Sequence, residues 1–356
     1  LADEKAGGGE ILLRNFIFEL IKMPDIKISV FTPDEKDITT KIINDYPDIN
    51  FIIYKSSPYY FNYIDEINLI LQKENFDKVI NFNMFVPFKT VVLQSHSYFH
   101  KLNRVNKLLR PIKKHILKNK LFAQNNAFQN SKIKNTDFIA VSQIIKNDYC
   151  KNFNISVNKV KVIYPGVHLK EFNEINKNEI ITIGMVANSS INKGGHYFLL
   201  AMGILNLFFR KFKIKIIAPK YNKDLLMRFI VTIFNLGKNV EVLPFQKDMT
   251  DFYNNTNVVV LPSLNEAFGL VTLEAMARGI PCIISSTAGS SEIINNENGM
   301  IFKRNSFLNF IKTIDIMLKL YYTNFDRFKE MSNSARKTAE NYSWSEFAKK
   351  VTEING

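Results

Sequence analysis

The sequence predicts an α/β protein built from two doubly wound domains in tandem. Short apolar stretches of strand length alternate with longer stretches of helical periodicity, which is the pattern of parallel sheets covered on both faces. The alternation occurs twice, and a polar, irregular segment at 171–179 separates the two halves. The chain has 356 residues, enough for two domains of ordinary size. We therefore expect the two domains to face each other across a cleft at the carboxyl ends of both sheets.

The predicted boundaries follow this alternation. The first domain is expected over 1–170, the second over 171–340, and the last stretch, 341–356, as a helix that packs back toward the first domain. Trp344, the only tryptophan of the sequence, is expected to anchor that helix by core packing. The strands predicted for the first half are Ile26–Thr32, Asn50–Tyr54, Lys78–Asn83, Thr90–Ser95, Asp137–Ser142 and Val160–Tyr164. Those predicted for the second half are Ile180–Val186, Lys213–Ala218, Val240–Pro244, Val258–Pro262, Cys282–Ser286 and Met300–Phe302.

Three glycines, Gly7, Gly8 and Gly9, precede a helical run that starts at Glu10. Glycine allows the backbone to approach a ligand closely, and the N-terminus of the following helix favours phosphate. A flexible leader explains the three glycines about equally well. The residues before them, LADEKA, are too polar for a buried central strand. We therefore expect that the first strand of this sheet is missing and that the chain is truncated before Leu1.

A histidine lies where the fourth predicted strand ends. His96 directly follows Thr90–Ser95, and a side chain at the carboxyl end of a strand in an α/β sheet faces the cleft. A neutral imidazole there can form a hydrogen bond with a sugar hydroxyl or serve as a polar wall. A purely structural histidine is the alternative. We interpret His96 as a site residue.

A strongly basic segment follows. Asp and Glu are absent between Lys78 and Thr136. From Lys101 to Lys120, apolar residues recur at steps of three and four with Lys and Arg between them, which is the pattern of a basic amphipathic helix, with an expected kink at Pro111. Such a helix favours an anionic membrane surface. An ordinary domain helix with a solvated basic face is an equally good interpretation, and both remain open.

Two glutamates eight positions apart flank a strand-to-helix turn in the second half. The strand over 257–261 ends at Pro262-Ser263, and a short helix is expected from Leu270 to Arg278, closed by Gly279. Glu266 then lies in the loop and Glu274 about one turn into the helix. The intervening N–H groups favour a phosphate, because free donors and the helix dipole meet there; they belong to Phe268, Gly269, Leu270 and Val271. For either glutamate alone, a solvated cap or a surface position is the simpler interpretation.

The full string 261–279, LPSLNEAFGLVTLEAMARG, is more specific. It resembles the E-x7-E signature of the family 4 retaining glycosyltransferases of the GT-B fold, including the P-S before it and the E-A-M-A-x-G-I-P after it. The resemblance implies two Rossmann-like domains and a nucleotide-diphosphate sugar as the donor, with no metal and no other cofactor. It also implies that Glu274 holds the ribose hydroxyls and that Glu266 holds the hydroxyls of the donor sugar.

The same resemblance gives roles to residues elsewhere. Gly8 and Gly9 match the loop that touches the donor diphosphate from the N-terminal domain, and His96 matches a histidine near the donor sugar or the acceptor. Lys193 matches the lysine of a G-R-x…K-G pattern whose two cations neutralise the leaving diphosphate. Met185 stands in place of the arginine of that pattern, and the loss of one such donor costs ~3–4 kcal/mol of transition-state stabilisation.

The function implied is that of a hexosyltransferase. It transfers a sugar with retention to a glycan or lipid-linked acceptor in the synthesis of a cell-surface polysaccharide such as lipopolysaccharide or capsule. Met185 and the missing first strand favour an alternative, a non-catalytic subunit of the same fold that binds sugar nucleotides. A nucleotide-sugar epimerase is a weaker third possibility, against which the E-x7-E string argues.

Composition excludes other classes. The chain is 46% hydrophobic and 22% charged, as expected for a soluble globular protein. It has neither an apolar run of the ~18–20 residues that span a bilayer nor the apolar region of a signal peptide. Cys150 and Cys282 form no metal motif, and no nucleic-acid motif accompanies the net charge of +14. We expect a cytoplasmic protein, with possible peripheral contact to the inner face of the membrane.

Overall fold

The computed structural model describes residues 8–33, 49–54, 76–82, 90–95, 135–169, 177–186, 193–208 and 211–354, with isolated positions between 69 and 172. Contacts between residues divide the chain into two compact units. Unit 1 comprises Leu1–Tyr164 and Trp344–Gly356, and unit 2 comprises Pro165–Ser343. These boundaries differ by a few residues from those predicted at 170/171 and 340/341, and the chain enters and leaves unit 2 once.

The described helices and strands alternate along most of the chain. In chain order they are α1 (Gly8–Ile21), β1 (Ser29–Pro33), β2 (Asn50–Tyr54), β3 (Ile80–Asn81), β4 (Thr90–Leu93), β5 (Asp137–Ala140), α2 (Gln143–Phe153), β6 (Val160–Val162), β7 (Thr182–Val186), α3 (Gly195–Leu207), β8 (Lys213–Ile217), α4 (Leu225–Ile233), β9 (Val240–Leu243), α5 (Thr250–Asn254), β10 (Val258–Leu261), α6 (Leu270–Met276), β11 (Cys282–Ser285), β12 (Gly299–Phe302), α7 (Phe307–Thr323), α8 (Phe325–Glu340) and α9 (Trp344–Thr352).

Unit 1 contains parallel sheets. β1 pairs with β2, and a four-stranded sheet has the order β3-β4-β5-β6. All four residues of β4 are buried, as expected for a central strand covered on both faces. On one side, the ring of Phe16 on α1 lies against Phe347 of α9, with 6.1 Å between ring centroids. The last helix therefore belongs to the core of unit 1, although it follows unit 2 in the sequence.

Unit 2 is built on one six-stranded parallel sheet with the order β12-β11-β10-β7-β8-β9. All four residues of β10 and of β11 are buried, because helices cover both faces. The strand order reverses between β7 and β10, which is the topological switch point of a doubly wound sheet. The core around the sheet includes Ile183, Met185, Phe198, Ile216, Val260, Ile283, Phe310 and Tyr321.

Each of the twelve predicted strand segments overlaps an observed strand. The observed strands are one to three residues shorter at some ends, where the predicted segments extend into residues that leave the ladder, and β1 and β12 each extend one residue beyond the prediction. This finding confirms the predicted α/β class with parallel sheets. The missing first strand concerns residues before Gly8, which lie outside the described part of the chain.

The start of helix α1 differs from the prediction. α1 begins at Gly8, so the prediction that Gly8 and Gly9 precede the helix was wrong: they form its first turn. Glycine is compatible with helical dihedrals, and the first N–H groups of a helix have no intrahelical acceptor to lose. No helix within the described ranges is long and apolar enough to cross a membrane.

Candidate active site

The switch point of the unit 2 sheet brings two loops together. β7 and β10 are hydrogen-bonded neighbours, with Ile183 beside Val258 and Gly184 beside Val259. The chain leaves β7 toward α3 and leaves β10 toward α6, and these two helices follow strands on opposite sides of the point where the order reverses. Segments that start at the carboxyl ends of such strands form a crevice, which is where ligands bind in open α/β sheets.

A glycine brings Lys193 close to the end of β10. Gly194, the N-cap of α3, has φ +78°, a conformation that side chains other than glycine rarely adopt. A Cβ at this position would lie 2.6 Å from the backbone oxygen of Pro262, which directly follows β10. The glycine of the K-G pair is therefore required by close backbone packing, and that packing fixes where Lys193 lies.

Lys193 and Glu266 form an ion pair. The Nζ of Lys193 donates a hydrogen bond to Oε2 of Glu266, and both side chains are partly buried. The two residues are 73 positions apart in sequence. Lys193 follows β7 and Glu266 follows β10, the two strands that meet at the switch point. Two of the predicted site residues therefore meet, with a cation and a carboxylate at the carboxyl edge of the sheet.

The loop that carries Glu266 is held by the segment after β11. Glu266 forms an isolated β-bridge with Ala288. The Glu266 carbonyl oxygen accepts a hydrogen bond from the Gly289 N–H at 3.1 Å, and the Phe268 carbonyl oxygen accepts one from the Ser290 N–H at 2.8 Å. Backbone hydrogen bonds of this kind satisfy groups that a loop would otherwise leave to water. They give the loop a defined conformation, so the Glu266 carboxylate is preorganised.

A second glycine shapes the turn into α6. Gly269 has φ +100°, and a Cβ there would lie 2.7 Å from Cδ2 of Leu261 and 3.2 Å from Cγ of Glu266. Only glycine avoids both the strained backbone and the clash. The predicted donor-binding residues of this turn occupy consecutive positions between the loop and the first residues of α6; they are Phe268, Gly269, Leu270 and Val271.

Helix α6 ends at Met276, two residues before the predicted end at Arg278, and Gly279 closes the following turn as predicted. Gly279 has φ +69°, its N–H bonds to the Met276 carbonyl at 2.8 Å, and the Ile280 N–H bonds to the Ala275 carbonyl at 3.0 Å. These are the two hydrogen bonds of a Schellman C-cap. Glu274 lies about one turn into this helix, as predicted.

Among the residues that the structure describes, no cation forms an ion pair with the Glu274 carboxylate. The hydroxyl of Tyr253, a buried residue of α5, donates to Oε2 of Glu274 at 2.7 Å. Arg278 lies over the Tyr253 ring, with 4.7 Å from its guanidinium carbon to the ring centroid, and it donates to the main-chain oxygen of Glu274 at 3.2 Å. Tyr253 therefore fixes the rotamer of Glu274 through one of its two carboxylate oxygens.

Burial controls the protonation of this cluster. Burial raises the pKa of Glu274 above its ordinary value, while the hydrogen bond from Tyr253 and the charge of Arg278 act in the opposite direction. Burial, with the neighbouring Glu274 charge, raises the pKa of Tyr253 well above its ordinary value. The Tyr253 hydroxyl consequently keeps its proton and acts as the donor of the pair.

The N-terminal candidates lie in unit 1. Gly9, in the first turn of α1, packs so closely on Gln94 that a Cβ would lie 3.0 Å from its Oε1. Gln94 directly follows β4, so the start of α1 lies at the carboxyl end of that strand. A Cβ on Gly8 would meet nothing within 4 Å. His96 lies outside the described residues, and its role stays a prediction.

Met185 is part of the core. It lies on β7, is fully buried, and pairs across the ladder with Ile216. Its apolar surroundings suit methionine and would penalise an unpaired cation. The arginine of the family pattern is therefore not replaced by another cation at this position.

Potential metal ligands are dispersed. Within the part of the chain that the structure describes, no three His, Cys, Asp or Glu side chains form a group that could hold a metal ion. Cys282 is buried, and burial raises the pKa of its thiol; Cys150 is partly buried, and burial raises its pKa too. The expectation that the protein needs no metal stays a prediction.

The sequence reasoning missed the residues that support the two glutamates. Tyr253 precedes Glu274 by 21 positions and belongs to a different helix, so no local spacing indicates their contact. Ser290 fixes the loop through its backbone, and its hydroxyl lies 2.9 Å from that of Thr272 in the interior. The sequence pattern marks Arg278 only as the last residue of the predicted helix and does not indicate its contact with Tyr253.

Comparisons with known proteins agree with this geometry. A family model described as Glycosyl transferases group 1 matches residues 168–341, and one described as Glycosyltransferase Family 4 matches residues 6–171. An uncharacterised glycosyltransferase of Methanocaldococcus jannaschii is 30% identical over 236 residues, which cover 61% of this chain and 58% of that protein. Capsular polysaccharide biosynthesis glycosyltransferase CapM of Staphylococcus aureus is 25% identical over 222 residues, which cover 58% and 57%. The chain thus spans less than two thirds of the length of these curated relatives.

Solved structures show the fold. A glycosyltransferase of Rickettsia africae superposes with a TM-score of 0.72 at 18% identity, covering 98% of this chain and 95% of that one. HepE of Anabaena, solved in complex with UDP, superposes with a TM-score of 0.73 at 15% identity, covering 99% and 96%. These likenesses confirm the predicted GT-B fold. The two family models together extend from residue 6 to residue 341, and the chain belongs to the family of glycosyltransferases that they describe, family 4 with its group 1 domain.

Proposed function

We propose that this chain is a retaining glycosyltransferase that moves a hexose-type sugar from a nucleotide-diphosphate sugar to a glycan or lipid-linked acceptor. The observation that carries the proposal is the meeting of Lys193 and Glu266 at the switch point of the unit 2 sheet, with Glu274 on the helix that follows. A cation and two carboxylates on neighbouring segments suit a ligand with a diphosphate between two groups rich in hydroxyls.

Each residue has a distinct task in this proposal. Glu274 accepts hydrogen bonds from the ribose hydroxyls, and Tyr253 occupies its other oxygen and fixes its direction. Glu266 accepts hydrogen bonds from the donor sugar. Lys193, with the backbone from Phe268 to Val271, stabilises the diphosphate as negative charge develops on it. The donor contacts expected of Gly8, Gly9 and His96 stay predictions from the sequence.

The reaction requires no nucleophile from the protein. The acceptor hydroxyl attacks the anomeric carbon from the face that the diphosphate leaves, the glycosidic bond to the phosphate breaks, and the proton of the hydroxyl passes to the departing phosphate. The positive charge of Lys193 favours this departure, and no metal is needed for it. Because the sugar configuration at the anomeric carbon is kept, the transfer is a retaining one.

The acceptor side is proposed from similarity and charge. CapM, one of the similar proteins, is a glycosyltransferase of capsular polysaccharide biosynthesis, which favours a cell-surface polysaccharide as the product. The basic segment from Lys101 to Lys120, which lies outside the described residues apart from Lys114, suits contact with an anionic membrane. We place the enzyme in the cytoplasm, at the inner face of the membrane, where nucleotide sugars and lipid-linked acceptors meet.

The test begins with the donor. UDP-, GDP- and ADP-sugars are screened by thermal shift, because a ligand that binds only the folded protein raises its melting temperature. With the donor identified, release of nucleoside diphosphate is measured in the presence of lipid-linked saccharide for the wild type and for Glu266→Ala. We expect Glu266→Ala to lower the rate about a hundredfold or more, since it removes an interaction with the reacting sugar.

A matched control is Glu297→Ala, which removes an exposed carboxylate in the turn before β12. This variant should react at the wild-type rate. Wild-type turnover by Glu266→Ala would contradict the role given to that residue. Donor binding without release of nucleoside diphosphate by the wild type would favour the alternative, a non-catalytic binding subunit, which the buried methionine at 185 also favours.

A further inference from the structure

Helix α4 is apolar on two opposite faces. Its inner face, with Met227 and Ile230, is buried in the core of unit 2. Its outer face carries a second apolar row, which we name the α4 stripe: Leu225, Phe229 and Ile233, exposed to 76%, 61% and 61%. These residues recur at steps of four and therefore lie in line along one side of the helix. A helix that only packs on its own domain requires the inner face alone.

The α4 stripe is held rigidly outward. The Asp224 carboxylate caps the helix by accepting from the Met227 N–H at 3.0 Å. At the other end, the side chain of Asn206 on α3 donates to the Phe234 carbonyl at 3.2 Å. Gly203 on α3 allows close contact, since a Cβ there would lie 2.4 Å from the Phe234 ring. The stripe cannot turn inward without breaking these contacts.

Further apolar surface continues at the C-terminal end of the stripe. Leu207 and Phe208, at the end of α3, are both exposed, and Asn206 ties this end of α3 to the end of α4. Leu226 adds exposed apolar area at the start of α4. Several exposed apolar side chains on two elements joined in this way are typical of an interaction site.

The border of the stripe is basic. Lys220 and Lys223 lie exposed in the turn that leads into α4, Arg228 is exposed on the helix itself, and Lys238 is exposed shortly after it. The carboxylate nearest to this group in sequence, Asp224, is engaged in capping the helix. Exposed apolar side chains on a helix, with Arg on the helix and Lys in the segments before and after it, are the composition of a surface that enters the boundary between lipid headgroups and acyl chains.

We propose that the α4 stripe docks unit 2 on an anionic membrane surface, with Phe229 and Ile233 inserted at the headgroup boundary and the surrounding cations on lipid phosphates. The positive charge around the stripe favours an anionic membrane over a second copy of this chain as the partner. A second copy of this chain, bound through the same face, would oppose lysine to lysine, whereas an anionic lipid surface is complementary. The site is separate in sequence from the basic segment 101–120.

Binding to sedimented vesicles in the absence of donor tests the proposal, so its outcome does not depend on the proposed transfer reaction. The vesicles are phosphatidylcholine alone, or equal parts of phosphatidylcholine and anionic phosphatidylglycerol. We expect the wild type to bind the anionic vesicles and not the neutral ones. Phe229→Ser/Ile233→Ser should weaken that binding about tenfold or more, because the substitution removes the inserted apolar groups.

The matched control is Leu308→Ser, which changes a side chain on α7 that is 79% exposed. Leu308 follows Phe307, whose ring contacts Tyr197 near the start of α3, whereas the α4 stripe lies by the end of α3. Leu308→Ser should bind vesicles as the wild type does. Unchanged melting temperatures would show that both variants are folded.

The cations give a second measurement. Lys220→Gln/Lys223→Gln should weaken binding to anionic vesicles about fivefold per lysine at low salt and reduce the dependence of binding on salt. Wild-type affinity of Phe229→Ser/Ile233→Ser for anionic vesicles would overturn the proposal. So would a wild type that binds no vesicles but forms a dimer that the double substitution dissociates, which would identify a second copy as the occupant.

Discussion

At the scale of single residues, the two glutamates of the E-x7-E string have different environments. Glu266 is paired with the cation of Lys193, and Glu274 is paired with a neutral hydroxyl. Burial raises the pKa of Glu274, so the folded protein binds its proton more tightly than the unfolded chain does. Between the ordinary and the raised pKa, the contribution of this group to stability therefore falls as pH rises. The ionised Glu274 carboxylate therefore lowers the stability of the folded protein, as expected for a group whose role is to bind a ligand.

Tyr253→Phe tests how that carboxylate is kept ionised. Loss of the hydroxyl removes a hydrogen bond that lowers the pKa of Glu274, so this pKa rises further. Since ribose binding by Glu274 uses the carboxylate as an acceptor, we expect the acid limb of the pH profile of donor affinity to move to higher pH. At alkaline pH a smaller loss of affinity should remain, because the hydroxyl no longer fixes the Glu274 rotamer. Isothermal titration of the donor at a series of pH values measures this shift.

The control for that shift is Tyr322→Phe. Tyr322 also uses its hydroxyl, donating to the Lys211 carbonyl at 2.9 Å and accepting from the Ile181 N–H at 3.1 Å, but it has no contact with Glu274. Its pH profile should superpose on that of the wild type. A Tyr253→Phe profile that also superposed would show that the hydroxyl does not set the ionisation of Glu274.

At the scale of elements, the site depends on how a strand, a loop and a helix follow one another. β10 ends at Leu261, α6 begins at Leu270, and the loop between them is held by hydrogen bonds to residues 289 and 290. The two glycines that this arrangement requires, Gly194 and Gly269, both have positive φ and both would clash if a Cβ were added. The residue types at these positions therefore reflect the requirements of the backbone as well as those of ligand binding.

Gly269→Ala should cost ~2–6 kcal/mol of unfolding free energy, because a positive φ and an overpacked Cβ each destabilise by ~1–3 kcal/mol unless the loop moves. The Cβ would meet Leu261 and Glu266, so donor affinity should fall as well. Urea unfolding and donor titration measure the two effects. Gly237→Ala is the control, since a Cβ there would meet nothing within 4 Å and its φ is not positive. Equal stability of the two variants would contradict this account of the turn.

At the scale of the whole molecule, the chain leaves unit 1 at residue 164 and returns to it at residue 344. The returning helix α9 is secured in unit 1 by apolar and polar contacts. Phe347 is buried against Phe16, and Lys78 donates to the carbonyl of Thr352 at 2.6 Å and to that of Ile354. Burial lowers the pKa of Lys78, while the charge of Asp137 opposes that shift. Unit 1 therefore needs the last residues of the sequence to complete its core.

Phe347→Ala should destabilise the protein by ~3–5 kcal/mol, the usual cost of truncating a buried phenylalanine. Equilibrium unfolding in urea, followed by far-ultraviolet circular dichroism, measures the loss. Leu308→Ala, which truncates an exposed side chain, should change stability by less than ~0.5 kcal/mol. If Phe347→Ala were as mild as that control, α9 would not be part of the core of unit 1.

The sequence by itself determined the strands, the parallel α/β class and the local geometry around the two glutamates. These features depend on periodicity, on glycine at turns and on the order of residue types over short spans, all of which can be read from the amino-acid sequence. The closing of α6 by Gly279 is an example, because the capping hydrogen bonds from Gly279 and Ile280 reach carbonyls no more than five positions earlier.

Only the tertiary structure decided which residues meet. Lys193 reaches Glu266 across 73 positions because β7 and β10 are neighbours in the sheet, and Tyr253 reaches Glu274 because α5 and α6 flank the same strand. It also placed Met185 in the core and left a second apolar face on α4 exposed. Periodicity reports that a residue is apolar or polar along its own element. It does not report strand order or which surface another element covers, and those decide the chemistry of the site.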